Sequence, residues 1–224
     1  MKRTLILFFI VSTNILYAQS EFTFGVLPEV TVSKKLTDKW RILGQVESMQ
    51  QTVLKQGGQT FEDYSYIRTD FTGVVAYSLS PRWGVAVGSL ARFTEGEFVY
   101  RSLQQVSYNH SGASLRFGQR FRTDQTFEPN EDTEFRFRYR FSSEIPLQGL
   151  RVDSKEFYTI ISVEQIASLK SSAWDWEQRL VAGLGYYFNK KHKVELGFDY
   201  RVNEFLNDDG VHAVWTMINY YVNL

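Results

Sequence analysis

The chain of 224 residues contains no cysteine. Disulfides and thiol chemistry are therefore excluded, and an exported chain of this length must be held by its own architecture. It also lacks an excess of charge. Its 25 basic and 25 acidic residues cancel, which leaves no broad basic field for nucleic acid. Beyond the N-terminus there is no apolar run approaching the roughly 20 residues of a membrane helix. The mean hydropathy of −0.28 is too polar for a helical membrane protein. Phosphate loops, dinucleotide fingerprints and clustered metal ligands are missing too, so no cofactor is expected. What the chain does have is aromatic residues, 16% of the total. High aromatic content with modest hydropathy and no helical span is the composition of an outer-membrane barrel.

The N-terminus reads as a secretory signal peptide over residues 1–18. Lys2 and Arg3 form the positive region and Leu5 to Val11 the apolar one. Ala18 is the expected last residue before cleavage, leaving Gln19 first, although Leu16 suits its place three residues earlier poorly. Without Lys2 and Arg3 the mature chain has 23 basic against 25 acidic residues, a net charge of −2. Its length suits one domain, residues 19–224.

The most telling stretch is Thr133 to Ser143. Phe135, Phe137, Tyr139 and Phe141 alternate with Glu134, Arg136, Arg138, Arg140 and Ser142. Strand side chains alternate faces with a period of two, so this pattern is a strand and not an amphipathic helix. One face is wholly aromatic. The other carries three guanidiniums, which cannot be deprotonated or buried without partners. In a soluble sandwich or lipocalin-like barrel the rings would be core; in a transmembrane barrel they would meet lipid and the arginines a polar lumen.

The same alternation recurs along the chain. From Tyr64 to Leu79, Ile67, Phe71, Val75 and Tyr77 oppose Arg68, Asp70 and Thr72. Later, Leu115, Phe117 and Phe121 oppose Arg116, Arg120, Arg122 and Asp124. Trp174, Trp176, Leu180 and Leu184 oppose Asp175, Glu177 and Arg179. Val194, Leu196 and Phe198 oppose Glu195, Gly197 and Asp199. Phe98 to Tyr108 is mixed. Thr37–Lys39 and Ser80–Arg82 read as short turns and Thr52–Asp63 as a long polar loop. This asymmetry of short periplasmic turns and longer outer loops belongs to membrane barrels. Tryptophans near strand ends suit an aromatic girdle. The expectation is an all-β, single antiparallel transmembrane β-barrel of about 10–12 strands. The segments count to roughly eleven, whereas bacterial single-chain barrels have even numbers. Either Pro28 splits the first strand, or one weak segment is not in the wall, or the first segment lies inside.

The candidate site is the charged lining. Its basic members are Arg116, Arg120, Arg122, Arg136, Arg138, Arg140 and Arg179. The facing carboxylates are Glu134, Glu144, Glu164, Glu177, Glu195 and Asp199. Carboxylates that nearly match the arginines favour a salt-bridged filling of a small barrel; the sharper reading is an anion-preferring pore. The three histidines, His110, His192 and His212, are scattered. Asn109-His110-Ser111 invites comparison with serine–histidine lipid hydrolases, but reads better as a turn. Asp208-Asp209 reads as a solvated loop rather than a calcium site.

Ile218, Tyr220, Val222 and Leu224 alternate to the last residue. This resembles the signal read by the outer-membrane barrel insertion machinery, which usually ends in an aromatic residue where this chain has Leu224. Four further features resemble the outer-membrane barrel family catalogued as domain of unknown function number 2490. They are Val32-Ser33-Lys34-Lys35-Leu36 followed by Lys39-Trp40, the Arg136–Arg140 row, Gly183-Leu184-Gly185-Tyr186-Tyr187-Phe188, and His212 opening the last strand. The resemblance implies a barrel and an outer-membrane address, and carries over no activity or catalytic residue. Three functional classes follow. The first is a non-enzymatic outer-membrane barrel, structural or a narrow pore, with lipid and the insertion machinery as partners. The second is a lipid-modifying enzyme of that membrane. The third is a soluble periplasmic binding barrel.

Overall fold

A strand whose two faces differ as sharply as Phe135–Phe141 has to stand in a wall with different media on its two sides. The computed structural model describes residues 21–112, 115–149, 152–204 and 210–224, and these form such a wall. The signal-peptide stretch and Asp208-Asp209 lie outside the described residues. The strands are β1 (Phe22–Lys35), β2 (Trp40–Gln56), β3 (Gln59–Ser78), β4 (Trp83–Phe93), β5 (Phe98–Ser111), β6 (Arg116–Phe127), β7 (Glu134–Pro146), β8 (Glu156–Lys170), β9 (Ala173–Asn189), β10 (His192–Asn203) and β11 (Val211–Asn223). Each pairs with its neighbours in sequence, and β1 closes onto β11. Closure leaves no edge strand within the wall, which lipid demands because it offers backbone groups no hydrogen bonds.

Eleven strands make the closing seam parallel. Successive strands of a meander run in opposite directions, so the first and last of an odd number run the same way. β1 and β11 pair in parallel from Phe22↔His212 to Ser33↔Asn223. None of the three ways to restore an even count occurs. β1 is one strand through Pro28. Its ladder to β2 shifts register between Phe24 and Gly25 and opens between the Val26↔Gln50 and Glu29↔Glu47 pairs, where the proline offers no N–H. The mixed segment, β5, is a full wall strand paired on both sides. Its pattern is mixed because its inward face carries Val99 and Leu103 beside Arg101, all buried.

Exposure identifies the outer face. Phe135, Phe137, Tyr139 and Phe141 are 40–46% exposed, whereas Arg138 between them is 8% exposed. Among the tryptophans, Trp40, Trp83, Trp174 and Trp176 are 39–57% exposed at strand ends, and Trp215 alone turns inward. Trp40 packs on Tyr77 and Trp83 on Tyr108 at one rim, and Trp174 meets Phe137 at the other. Such amphipathic rings suit the two membrane interfaces.

Three local readings are revised. Thr52–Asp63 is an extended hairpin and not an irregular loop. Gly57 and Gly58 both have positive φ, as a two-residue primed turn requires. β3 meets β4 only from Thr69 onward, so its Gln59–Arg68 half projects beyond that neighbour. Asn109–Ser111 is paired strand, opposite Gly118–Arg116, and not a turn. Ile67 does not face lipid. The β2–β3 ladder steps from Met49↔Arg68 to Gln50↔Tyr66, which leaves Ile67 as the extra, unpaired residue of a β-bulge. Ile67 packs instead on the interior cluster of Leu27, Met49, Ala213 and Trp215.

Large inward rings fit because glycines face them. A β-carbon on Gly185 would sit 2.2 Å from Tyr158 Cζ, and one on Gly25 would sit 2.6 Å from Trp215 Cζ3. The ring thus occupies the space that a neighbouring side chain would claim. We expect Gly185→Ala to destabilise the barrel by about 1–3 kcal/mol through overpacking, read as a lower urea midpoint for the vesicle-inserted protein. In a Tyr158→Ala background the same substitution should cost almost nothing. Equal costs in both backgrounds would show that the ring does not need the glycine.

Candidate functional site

Because side chains alternate, every second residue of every strand enters a common interior. The register then decides which charges meet. Glu164 on β8 is 1% exposed and accepts from three arginines of β6 and β7. Arg138 Nη2 lies at 2.7 Å, Arg120 Nη2 at 3.0 Å and Arg140 Nη2 at 3.1 Å. Asp124 on β6 is fully buried. It accepts from Arg122 Nε at 2.5 Å and lies 3.5 Å from Arg138 Nη1. Arg138 therefore bridges the two buried carboxylates. On β9, Glu177 takes Arg136 Nη2 at 3.0 Å and Arg179 Nε at 2.5 Å.

Two satellite networks extend this belt. Arg92 forms a bidentate pair with Asp70 at 2.7 and 2.8 Å, and Arg68 stands between Asp70 and Glu47. Near the rim that carries Leu224, Glu195 accepts from Tyr158 at 2.8 Å, Tyr221 at 2.9 Å and Lys193 at 2.7 Å. Asp199 pairs with Arg201 at 2.7 Å. Arg116 is peripheral. It is 60% exposed by side chain and reaches Glu144 at 3.3 Å. At the other rim, outside the spanning segments, Lys170 donates to Glu131 and to Glu128. These bonds raise Lys170 above its ordinary value and hold Glu131 below its own.

One cavity of about 640 Å³ runs through this interior. Lys193 and Tyr221 line it toward one rim, Asn203 and Val211 toward the other. Among the described residues its walls carry eleven basic and seven acidic side chains. Asp124 and Glu164 are absent from the walls because they lie beneath their arginines. The Nε atoms of Arg68, Arg120, Arg136, Arg138 and Arg140 are buried and have no hydrogen-bond partner. Arg101 is 4% exposed and donates to Thr126 at 2.8 Å. Among the described residues no carboxylate forms an ion pair with it.

Of the thirteen charged residues singled out from sequence, all but Arg116, Glu134 and Glu164 line this cavity. Pairwise reading missed Arg68, Asp70, Arg92, Arg101, Asp124, Lys193 and Arg201 as members of the network. Parity was enough to find most of them; only Arg101, in the mixed strand, gives a weak signal. Parity also finds Trp215, since Ile218, Tyr220 and Val222 face outward.

The histidines supply no catalytic cluster. His192 hydrogen-bonds Tyr220 at 2.9 Å, His212 hydrogen-bonds Tyr200 at 2.8 Å, and His110 packs on Phe117. His110 and Ser111 are consecutive in a strand and so point to opposite faces. Among the described residues no group of three or more His, Asp or Glu side chains is arranged to hold a metal ion.

Comparison with known proteins adds the following. A family model described as protein of unknown function (DUF2490) matches residues 24–212. Among solved structures, the chain is similar to the NanC porin at 17% identity and a TM-score of 0.54, over 87% of this chain and 91% of that one. A weaker likeness, 12% identity and a TM-score of 0.34, links 76% of the chain to 33% of the siderophore receptor PirA from Pseudomonas aeruginosa. No curated protein sequence matches. The porin likeness is one of fold, a transmembrane β-barrel.

Removing the partner of a buried charge is costly because the charge remains. Glu164→Gln should therefore lower unfolding stability by about 3–5 kcal/mol, measured by urea titration in vesicles. Arg116→Gln, at the wet rim, should change it by less than about 1 kcal/mol. Similar small losses for both would show that the Glu164 network does not carry the barrel's stability.

Proposed function

The chain belongs to the DUF2490 family, and from that premise we propose that it is an outer-membrane β-barrel that passes small anions through a narrow, arginine-rich channel. The observation that carries this reading is the cavity reaching from Lys193 to Asn203, along nearly the whole of β10. Ten strand residues tilted by about 40° span ~25 Å along the barrel axis.

The sign of the walls sets the preference. Eleven basic against seven acidic linings make the cavity surface positive, and a positive low-dielectric passage favours anions. Charges inside a membrane protein are costly and mark solute pathways by default. The C-terminal strand, with its outward Ile218, Tyr220 and Val222, is the element that the insertion machinery would read. On that reading the Leu224 rim is periplasmic and the β2–β3 hairpin projects outward. Outer-membrane lipid is the partner of the aromatic outer face.

One observation favours a second reading. Glu164 ties three arginines together, as a salt-bridged plug in a closed structural barrel would. Planar-bilayer recording of the refolded protein in a potassium chloride gradient separates the two. The channel reading expects steady current with a reversal potential on the anion side. In Arg136→Gln/Arg138→Gln/Arg140→Gln that potential should move toward the cation side. Silence from a protein shown to be folded and inserted by its heat-dependent gel mobility would establish the structural barrel.

A further inference from the structure

The lining of the cavity is uneven. β1 lies five strands from both β6 and β7 around the ring, so these elements face each other across the lumen. The β6–β7 side presents Arg120, Arg122, Arg136, Arg138 and Arg140. The β1–β2–β11 side presents Leu27, Met49 and Trp215, which pack together as one apolar cluster and line the cavity beside Glu29, Glu47 and Asn219 of the same strands. The Trp215 ring rests against the wall at Gly25, where a β-carbon would meet it at 2.6 Å. The ring is thereby laid along the wall and leaves the lumen free.

Water in such a slot would be well bound on one side and poorly on the other. An inorganic anion would satisfy the arginines and leave the apolar patch against water. A neutral apolar solute would do the reverse. The geometry points to a binding site for small amphipathic carboxylates, an aryl- or alkyl-carboxylate with its charge on the arginine wall and its apolar end on Leu27, Met49 and Trp215. This assignment rests on the channel reading above and gives that channel its solute class.

The arginine side is short of acceptors. Arg138 is 8% exposed, lines the cavity, and keeps a buried Nε with no partner. Arg136 Nε is orphaned in the same way. Arg101 stands near Arg136 and Arg92 as well as near Asp124 and Glu134, lines the same cavity and forms no ion pair among the described residues. A buried guanidinium without full pairing is expensive. A carboxylate entering between Arg101 and Arg136 would supply acceptors that the protein itself does not. Two oxygens and a planar fork match an arginine better than chloride does.

The test uses the full chain in lipid nanodiscs, with empty nanodiscs as the blank. Three probes are compared by saturation-transfer NMR: 3-phenylpropionate, propionate (the charge alone) and 3-phenylpropan-1-ol (the apolar end alone). The dissociation constant of 3-phenylpropionate should be at least tenfold lower than that of either half. Leu27→Asn and Met49→Gln, each made singly and each checked for heat-dependent gel mobility, should remove most of the advantage over propionate. Parity between 3-phenylpropionate and propionate would reduce the site to a simple anion lining and overturn the inference. Parity with the alcohol would reduce it to an apolar cavity and overturn the inference equally. An advantage undiminished in both variants would place binding elsewhere. Potassium chloride conductance is scored independently. A barrel that conducts anions without preferring 3-phenylpropionate overturns this inference and leaves the channel standing. A silent barrel that still binds 3-phenylpropionate tightly overturns the channel and leaves the site.

Discussion

An arginine that faces the inside of a membrane barrel can be kept there only if a carboxylate faces it from a neighbouring strand. The interior of this protein follows from that constraint. Glu164 on β8 lies opposite Arg140 of β7 and reaches two more arginines. Asp124 on β6 lies opposite Arg136 in register but takes its bonds from Arg122 and Arg138. A slip of one residue between β7 and β8 would turn Glu164 toward lipid and take the paired carboxylate away from Arg120 and Arg140. Charge pairing and strand register therefore specify each other, and each makes the other costly to change.

The outer face obeys a complementary rule. Lipid accepts rings and branched chains and rejects unpaired backbone, so the wall must close whatever the strand count. With eleven strands it closes through the parallel β1–β11 seam. That seam has slanted, slightly weaker pairing than an antiparallel one, yet it spans nearly the full length of both strands. It also brings Leu27 of β1 beside Trp215 and Met217 of β11. The seam is thus the reason that the apolar part of the lumen sits on one side, opposite the arginines.

A lumen with an arginine wall and an apolar patch opposite it is neither a filled core nor a uniform water pore. The two buried carboxylates beneath the arginines keep the protein stable without neutralising the cavity surface. The exposed linings remain predominantly basic, and that imbalance, not the number of arginines, is what a permeating solute would sense.

Much of this was legible in the chain itself, because membrane barrels write their faces at a period of two. The all-β wall and the separation of the Phe135–Phe141 rings from the charged face follow from parity; composition and the asymmetry of the turns put the rings outside. Parity places Trp215 inside as well, once Ile218 and Tyr220 are outside. Three things belonged to tertiary structure. Which carboxylate serves which arginine depends on register between strands up to 44 residues apart, as for Arg120 and Glu164, and alternation within one strand carries no register. The odd count and its parallel seam depend on the whole wall closing, because no local segment senses the direction of a strand that it meets only at closure. The inward turn of Ile67 depends on the β-bulge that it forms opposite Met49 and Gln50, which breaks the parity that the sequence shows. Composition determined what kind of wall this chain builds; closure of that wall decided what its interior can hold.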